Sequence, residues 1–226
     1  MSRPVMLFAA GFGTRMGTLT RDCPKPLLKV GGETLLDRTL DLADAAGLGP
    51  KLVNAHYLAD RIVTHLAGRD VAVAVEAPEI LDTGGGLKAA LPRLGAGPLA
   101  TTNTDAVWRG PNPFTVLEEA WRDGMGALLL TVPTARAVGR KTPGDFALGP
   151  DGRLSRGGDF VYTGVQILDP AILDEINAKV FSLNRAWDLL AARGGLFGVS
   201  YAGLWCDVGH PEGIALAEAV LEGRDV

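Results

Sequence analysis

Between residues 5 and 132 short apolar runs alternate with stretches whose apolar residues recur every three or four positions, and this rhythm restricts the chain to a layered α/β fold. Val5–Ala10 is apolar and runs into glycines, as a buried strand does. Thr34 is placed to cap a helix in which Leu36, Leu40 and Ala43 share a face. Leu52–Ala55 reads as the next strand. Leu58, Ile62 and Leu66 mark a helix, and Val71, Val73 and Val75 alternate as a third strand. A helix with Leu87, Leu91 and Leu94, a strand over Leu99–Thr102, a helix with Phe114, Leu117 and Trp121 and a strand over Ala127–Val132 continue the pattern. Such alternation predicts a mostly parallel sheet with helices on both faces. Residues 133–158 break the rhythm, being rich in Gly, Pro, Arg and Asp. There Gly149-Pro150-Asp151-Gly152 reads as a turn between short strands at Asp145–Leu148 and Arg153–Ser155. Strands near Val161–Leu168 and Leu196–Tyr201 follow, with a closing helix over Pro211–Glu222. The length of 226 residues suits a single domain, 1–226, with halves at about 1–132 and 133–226.

Charge narrows the function. The net charge of −4 argues against nucleic acid as a partner, because binding it requires basic surface. Yet Arg15, Arg21, Lys25 and Lys29 face a single acid, Asp22, within residues 15–29, which points to a bound anion. Cys23 and Cys206 have no metal-site spacing and make no disulfide framework. The short apolar stretch after Arg3-Pro4 is no secretory signal, and no run approaches the ~20 residues of a membrane span. A cytoplasmic protein with no membrane partner is expected.

The first strand ends in Ala9-Ala10-Gly11-Phe12-Gly13-Thr14-Arg15. In open α/β sheets ligands bind beyond the carboxyl ends of strands. Small residues there let backbone N–H groups cradle phosphate, and Arg15 adds a cationic fork. The loop is neither a dinucleotide fingerprint, since Met16 takes the third glycine position, nor a Walker A loop. Gly11 and Gly13 by themselves are also compatible with a mere tight turn. Ten residues beyond Arg15, Lys25 stands between Pro24 and Pro26, a lysine on stiffened backbone.

Further along, Asp82-Thr83-Gly84-Gly85-Gly86 precedes a helix, where three glycines are unfavourable unless something must approach closely. Asp82 or Thr83 also fits a cap. Asp105 and Asp207 each follow an apolar strand. Two strand-end carboxylates can share one Mg²⁺, and each alone is equally compatible with a helix cap. His56, His65 and His210 form no catalytic constellation.

The span Phe8–Leu28 resembles the signature of the sugar-1-phosphate nucleotidyltransferases: Ala-Ala-Gly-x-Gly-Thr-Arg, then Leu19-Thr20, then Pro24-Lys25-Pro26-Leu27. The resemblance implies a Rossmann-like nucleotidyltransferase fold. It implies that a nucleoside triphosphate is held by Ala9, Ala10, Gly11, Gly13, Thr14, Arg15 and Lys25, with Thr83 and the Gly84 backbone against the base and Glu76 at its edge. Catalysis falls to Arg15, Lys25 and Asp105, and Mg²⁺ to Asp105 and Asp207. This chain has Thr104 where the family commonly has glycine before the metal aspartate. The second substrate implied is a sugar 1-phosphate, with Asn103, Gly144, Asp145, Arg156 and Thr163 as its contacts. Arg156 stands where relatives carry the lysine of a Glu-Lys-Pro motif, and is open to a second reading as a solvated loop residue. The sugar phosphate would attack the α-phosphorus and release pyrophosphate. Its second pKa near 6 leaves it already ionised, so no general base is needed. Thr83-Gly84-Gly85-Gly86, Val107-Trp108, Gly144-Asp145-Phe146 and Tyr162-Thr163-Gly164-Val165 look most like the N-acetylmuramate-1-phosphate uridylyltransferases of cell-wall recycling. Guanylyl or thymidylyl transfer to a hexose 1-phosphate is the near alternative, and a noncatalytic sugar-nucleotide-binding subunit the distant one. Whether the protein acts as monomer or dimer is left open.

Overall fold

The computed structural model describes residues 2–140 and 142–224. The N-terminal half contains β1 (Val5–Phe8), β2 (Lys29–Val30), β3 (Glu33–Thr34), α1 (Leu35–Ala45), β4 (Lys51–Ala55), α2 (Ala59–His65), β5 (Ala72–Val75) and α3 (Asp82–Leu94). It continues through β6 (Leu99–Asn103), β7 (Ala106–Arg109), α4 (Pro113–Ala120) and β8 (Ala127–Pro133). The C-terminal half adds β9 (Ala137–Val138), β10 (Phe146–Leu148), β11 (Leu154–Arg156), β12 (Phe160–Leu168), α5 (Asn184–Ala192), β13 (Leu196–Ser200), β14 (Leu204–Asp207) and α6 (Glu212–Glu222).

The expected rhythm is present. Thr34 caps α1, its side chain accepting from the Asp37 N–H, a contact worth about 1 kcal/mol. β5, β4, β1 and β6 pair in parallel. The sequence rhythm then misleads at one point. β8 does not join β6 directly, because β12 runs antiparallel between them and pairs with both. β13 extends the sheet on the far side of β8, in parallel with it. The hairpin β10–β11 attaches at the start of β12. Apart from β12 and the short β11, the strands of this sheet run the same way.

Helices cover both faces. α1, α2 and α4 bury Leu36, Leu40, Ile62 and Phe114 against one face. On the other, α3 and α5 bury Leu87, Leu94, Trp187 and Leu190. Each fully buried leucine contributes roughly 1.5–3 kcal/mol. α5, with Trp187 as its anchor, is an element the sequence reading leaves unassigned. The closing helix begins at Glu212, one residue after the expected Pro211, which serves as its cap. A small sheet of β7, β14 and β9, backed by α6, packs Val107, Cys206, Ala217 and Val220 against Met16 and Leu28. Thus the C-terminal helix holds the segment that follows the glycine loop. Among the described residues no helix is long and apolar enough to cross a membrane.

Candidate active site

The loop after β1 and the Lys25 segment are joined by a glycine. Gly13 takes a left-handed φ of 64°, and a Cβ there would lie 3.0 Å from both the Lys25 Cβ and the Thr20 Cγ2. The Thr20 hydroxyl donates to the Gly13 carbonyl at 3.0 Å. Any side chain at 13 would push the loop away from Lys25. Gly11, by contrast, faces open space in the wall of a cavity of about 300 Å³. That cavity gathers Ala9, Ala10, Gly13, Thr14, Arg15 and Lys25 around one opening.

Lys25 is only 8% exposed and begins a short 3₁₀ turn, Lys25–Leu27. Its Nζ meets Asp105 Oδ2 at 2.7 Å. Asp105 follows β6, and Thr104 explains the residue before it. The Thr104 hydroxyl donates to the Phe8 carbonyl at 2.8 Å, tying the Asp105 turn to the end of β1. Asp207 arrives from the other direction. It ends β14, opposite Ala106 in β7, and the next amide, Val208, donates to the Asp105 carbonyl at 2.9 Å. Burial raises the pKa of Asp207 above the ordinary carboxylate range, and the Asp105 charge adds to the rise. Lys25, Arg15 and Arg140 oppose it. The two carboxylates thus come from neighbouring strand ends, and neither acts as a helix side-chain cap. Their oxygens are hard donors suited to a cation that completes its shell with water and phosphate oxygens. Among the described residues no cluster of three His, Cys, Asp or Glu side chains could hold a metal unaided. The donor set of the pair fits a divalent cation that takes its remaining ligands from elsewhere.

A second cavity of about 290 Å³ adjoins the first and shares Phe8, Asp82, Thr83 and Asn103 with it. Asn103 ends β6, and Gly164 in β12 makes room for it. There φ is 91°, the pairing register shifts between Tyr162 and Gln166, and a Cβ would press on Asn103 at 3.0 Å. Asp145 and Arg156 also line this second cavity. Asp145 is an organiser: Oδ1 takes Arg140 Nη2 at 2.6 Å and Oδ2 takes the Tyr162 N–H at 2.9 Å. Gly144 lies outside both linings and permits close backbone approach, since a Cβ there would meet the Phe160 nitrogen at 2.9 Å. Arg156 ends β11 with its side chain exposed at the edge of this cavity. Its Nε donates to Asp188 at 2.9 Å, and its guanidinium lies 4.9 Å from the centre of the Phe146 ring.

Three further expected contacts are placed differently. The Thr163 side chain turns away from both cavities, its hydroxyl donating to the Leu130 carbonyl at 2.7 Å. Strand alternation gives the neighbouring position, Tyr162, to the cavity instead. The Gly84 backbone is not free for a base. Its N–H donates to the Phe181 carbonyl at 2.9 Å, and a Cβ would run into the Phe181 ring. Thr83, one residue earlier, does line both cavities. Glu76 lines the first cavity, but its oxygens are engaged: Oε1 by Asn54 Nδ2 at 2.7 Å and Oε2 by the Leu81 N–H at 2.8 Å. Asn54 Oδ1 in turn accepts from the Ala9 N–H at 2.8 Å, so Glu76 braces the loop through Asn54. Asn54 escapes the sequence reading, although a polar residue inside Leu52-Val53-Asn54-Ala55 was its signal. Arg140 escapes it too, within the irregular 133–158 stretch. Neither thiol lines either cavity. Burial raises both pKa values, that of Cys206 to about 12.

Fold and site together define a nucleotidyltransferase. Residues 5–148 match the MobA-like NTP transferase domain, and the chain belongs to that family. It is 38% identical to an N-acetylmuramate alpha-1-phosphate uridylyltransferase of Caulobacter vibrioides, over 96% of each chain. It is 30% identical to the protein of the same name from Neisseria meningitidis, over 90% of this chain and 92% of that one. The crystal structure of HddC from Yersinia pseudotuberculosis, complexed with GMP-PN, shares the fold with a TM-score of 0.78. It is 22% identical and covers 97% of this chain and 99% of its own.

Proposed function

We propose that this enzyme transfers UMP from UTP to N-acetylmuramate 1-phosphate, giving the UDP-sugar and pyrophosphate for cell-wall recycling. One observation carries the reading. The relatives bearing this activity in their names match over 96% and 90% of this chain, far more than the nucleotide loop alone. The first cavity takes the triphosphate, with Arg15 and Lys25 at its phosphates. Among the described residues Arg15 has no ion-pair partner, so its fork is available to an incoming anion. Lys25 is held by Asp105 at the place where the polyphosphate would arrive.

The second cavity takes the sugar 1-phosphate, and Asn103, shared by both cavities, lies where the reacting groups meet. The acceptor phosphate is an ionised nucleophile at neutral pH, so the residues need only align it and offset charge on the α-phosphate. Asp105 and Asp207 would hold Mg²⁺, which supplies charge neutralisation at the phosphates when bound. A cytoplasmic location, where UTP is made, accords with this chemistry. The test is product identification. Purified enzyme with UTP, N-acetylmuramate 1-phosphate and Mg²⁺ should give UDP-N-acetylmuramate and pyrophosphate in equal amounts by mass spectrometry and phosphate assay. Absence of the UDP-sugar at high enzyme concentration would exclude the reading.

A further inference from the structure

Arg140 is a cation that no motif marks. β9 pairs in parallel with β14, Ala137 beside Trp205 and Val138 beside Cys206. The next residues, Gly139 and Asp207, therefore lie side by side. Gly139 adopts a φ of 76°, and a Cβ on it would fall 2.6 Å from the Asp207 carbonyl. The chain thus delivers Arg140 to the carboxylate end of β14 while its side chain lines the second cavity.

One ion pair fixes that side chain, Nη2 to Asp145 Oδ1 at 2.6 Å. Asp145 is itself held by the Tyr162 N–H. The Nε is buried and has no hydrogen-bond partner among the described residues. An unmatched buried donor is costly, and a guanidinium carries five donors of which one carboxylate oxygen occupies one. The geometry lacks an acceptor.

Arg156, the other arginine of the cavity, is exposed at its rim and already paired there. Its Nε donates to Asp188, its Nη2 to the Asn184 carbonyl at 3.2 Å, and its plane stacks on Phe146 and Trp187. We propose that Arg140, rather than Arg156, takes the phosphate of the sugar 1-phosphate and sets it beside the Asp105–Asp207 pair. A phosphate monoester offers acceptors to a forked donor, and the site between the cavities is where that phosphate must stand to reach the α-phosphorus. This assignment rests on the nucleotidyl-transfer reading above.

The experiment is steady-state kinetics of Arg140→Ala and Arg140→Gln with the best triphosphate and sugar 1-phosphate of the wild-type enzyme. Loss of charge-assisted bonds to one substrate should raise the KM for the sugar phosphate about 10- to 100-fold, with the KM for the triphosphate changed less than about twofold. Arg140→Lys, which keeps the charge without the fork, should recover part of that loss. A purely structural role would move both KM values together and lower the melting temperature. If the Ala variant does not fold, the Gln variant, which can still hydrogen-bond to Asp145, decides by the same comparison. An unchanged acceptor KM in a folded variant, or equal rises in both KM values, overturns the assignment and leaves the nucleotidyl-transfer reading standing. A wild-type enzyme that turns over no sugar 1-phosphate overturns both.

Discussion

Lys25, Gly13 and Asp207 show how single residues are committed to the site. The Lys25–Asp105 ion pair is mostly buried, so either side chain holds the other in place for incoming phosphates. Lys25→Ala and Asp105→Asn should each lower kcat/KM by at least about 100-fold, the usual cost of losing a preorganised charge contact, while circular dichroism remains native. Near-normal turnover in either variant would remove these residues from the mechanism. Gly13→Ala should destabilise the protein by about 1–2 kcal/mol in urea unfolding, because the left-handed backbone penalises a Cβ that also presses on Lys25 and Thr20. Its activity should fall along with its stability.

Asp207 behaves oppositely in stability and function. Its folded pKa lies above the ordinary 3.8, so the ionised carboxylate costs the metal-free fold stability. The favourable contribution is complete below 3.8 and is lost as pH rises through the raised value. Asp207→Asn should therefore raise the Tm of the metal-free protein at neutral pH and abolish turnover, the pattern of a site that trades stability for function. A lowered Tm at neutral pH would contradict the electrostatic account of the pair.

At the scale of elements, the glycine triplet serves packing, while Asp82 and Thr83 before it line the cavities. Gly84 and Gly85 both donate their N–H groups to the Phe181 carbonyl, and their missing side chains let the segment before α5 lie against α3. Gly84→Ala should thus cost about 1–3 kcal/mol of stability by overpacking, with the UTP KM of the surviving folded protein near wild type. A selective rise in UTP KM would return Gly84 to the nucleotide site. The same elements mark where sequence reasoning stops. Loop and lysine were legible because glycine, proline and cation each serve a local backbone need. Helix faces and buried strands were legible from their periods. The antiparallel insertion of β12 was not, since strand order depends on pairings between residues far apart in sequence. Thr163 was assigned to the cavity where Tyr162 stands, because one step along a strand reverses the face and no local pattern fixes which face meets the ligand. Glu76 and Asn54 likewise form a bond across 22 positions that neither segment announces alone.

The whole molecule places two adjoining cavities at the same end of one sheet, where Phe8 and Asn103 close the strands that both share. α6 and the β7–β14–β9 sheet bring the end of β14, with Asp207, beside the Asp105 turn from the far end of the chain, and Gly209 just beyond it lines the first cavity. On the proposed reading the two cavities hold the two substrates side by side, and neither half of the chain should be active alone. The most direct test is a pyrophosphate-release panel that crosses UTP, GTP, dTTP, ATP and CTP with the 1-phosphates of N-acetylmuramate, N-acetylglucosamine, glucose and mannose. UTP with N-acetylmuramate 1-phosphate should give the highest kcat/KM. A guanylyl or thymidylyl donor with a hexose 1-phosphate at the head of the panel would contradict the account.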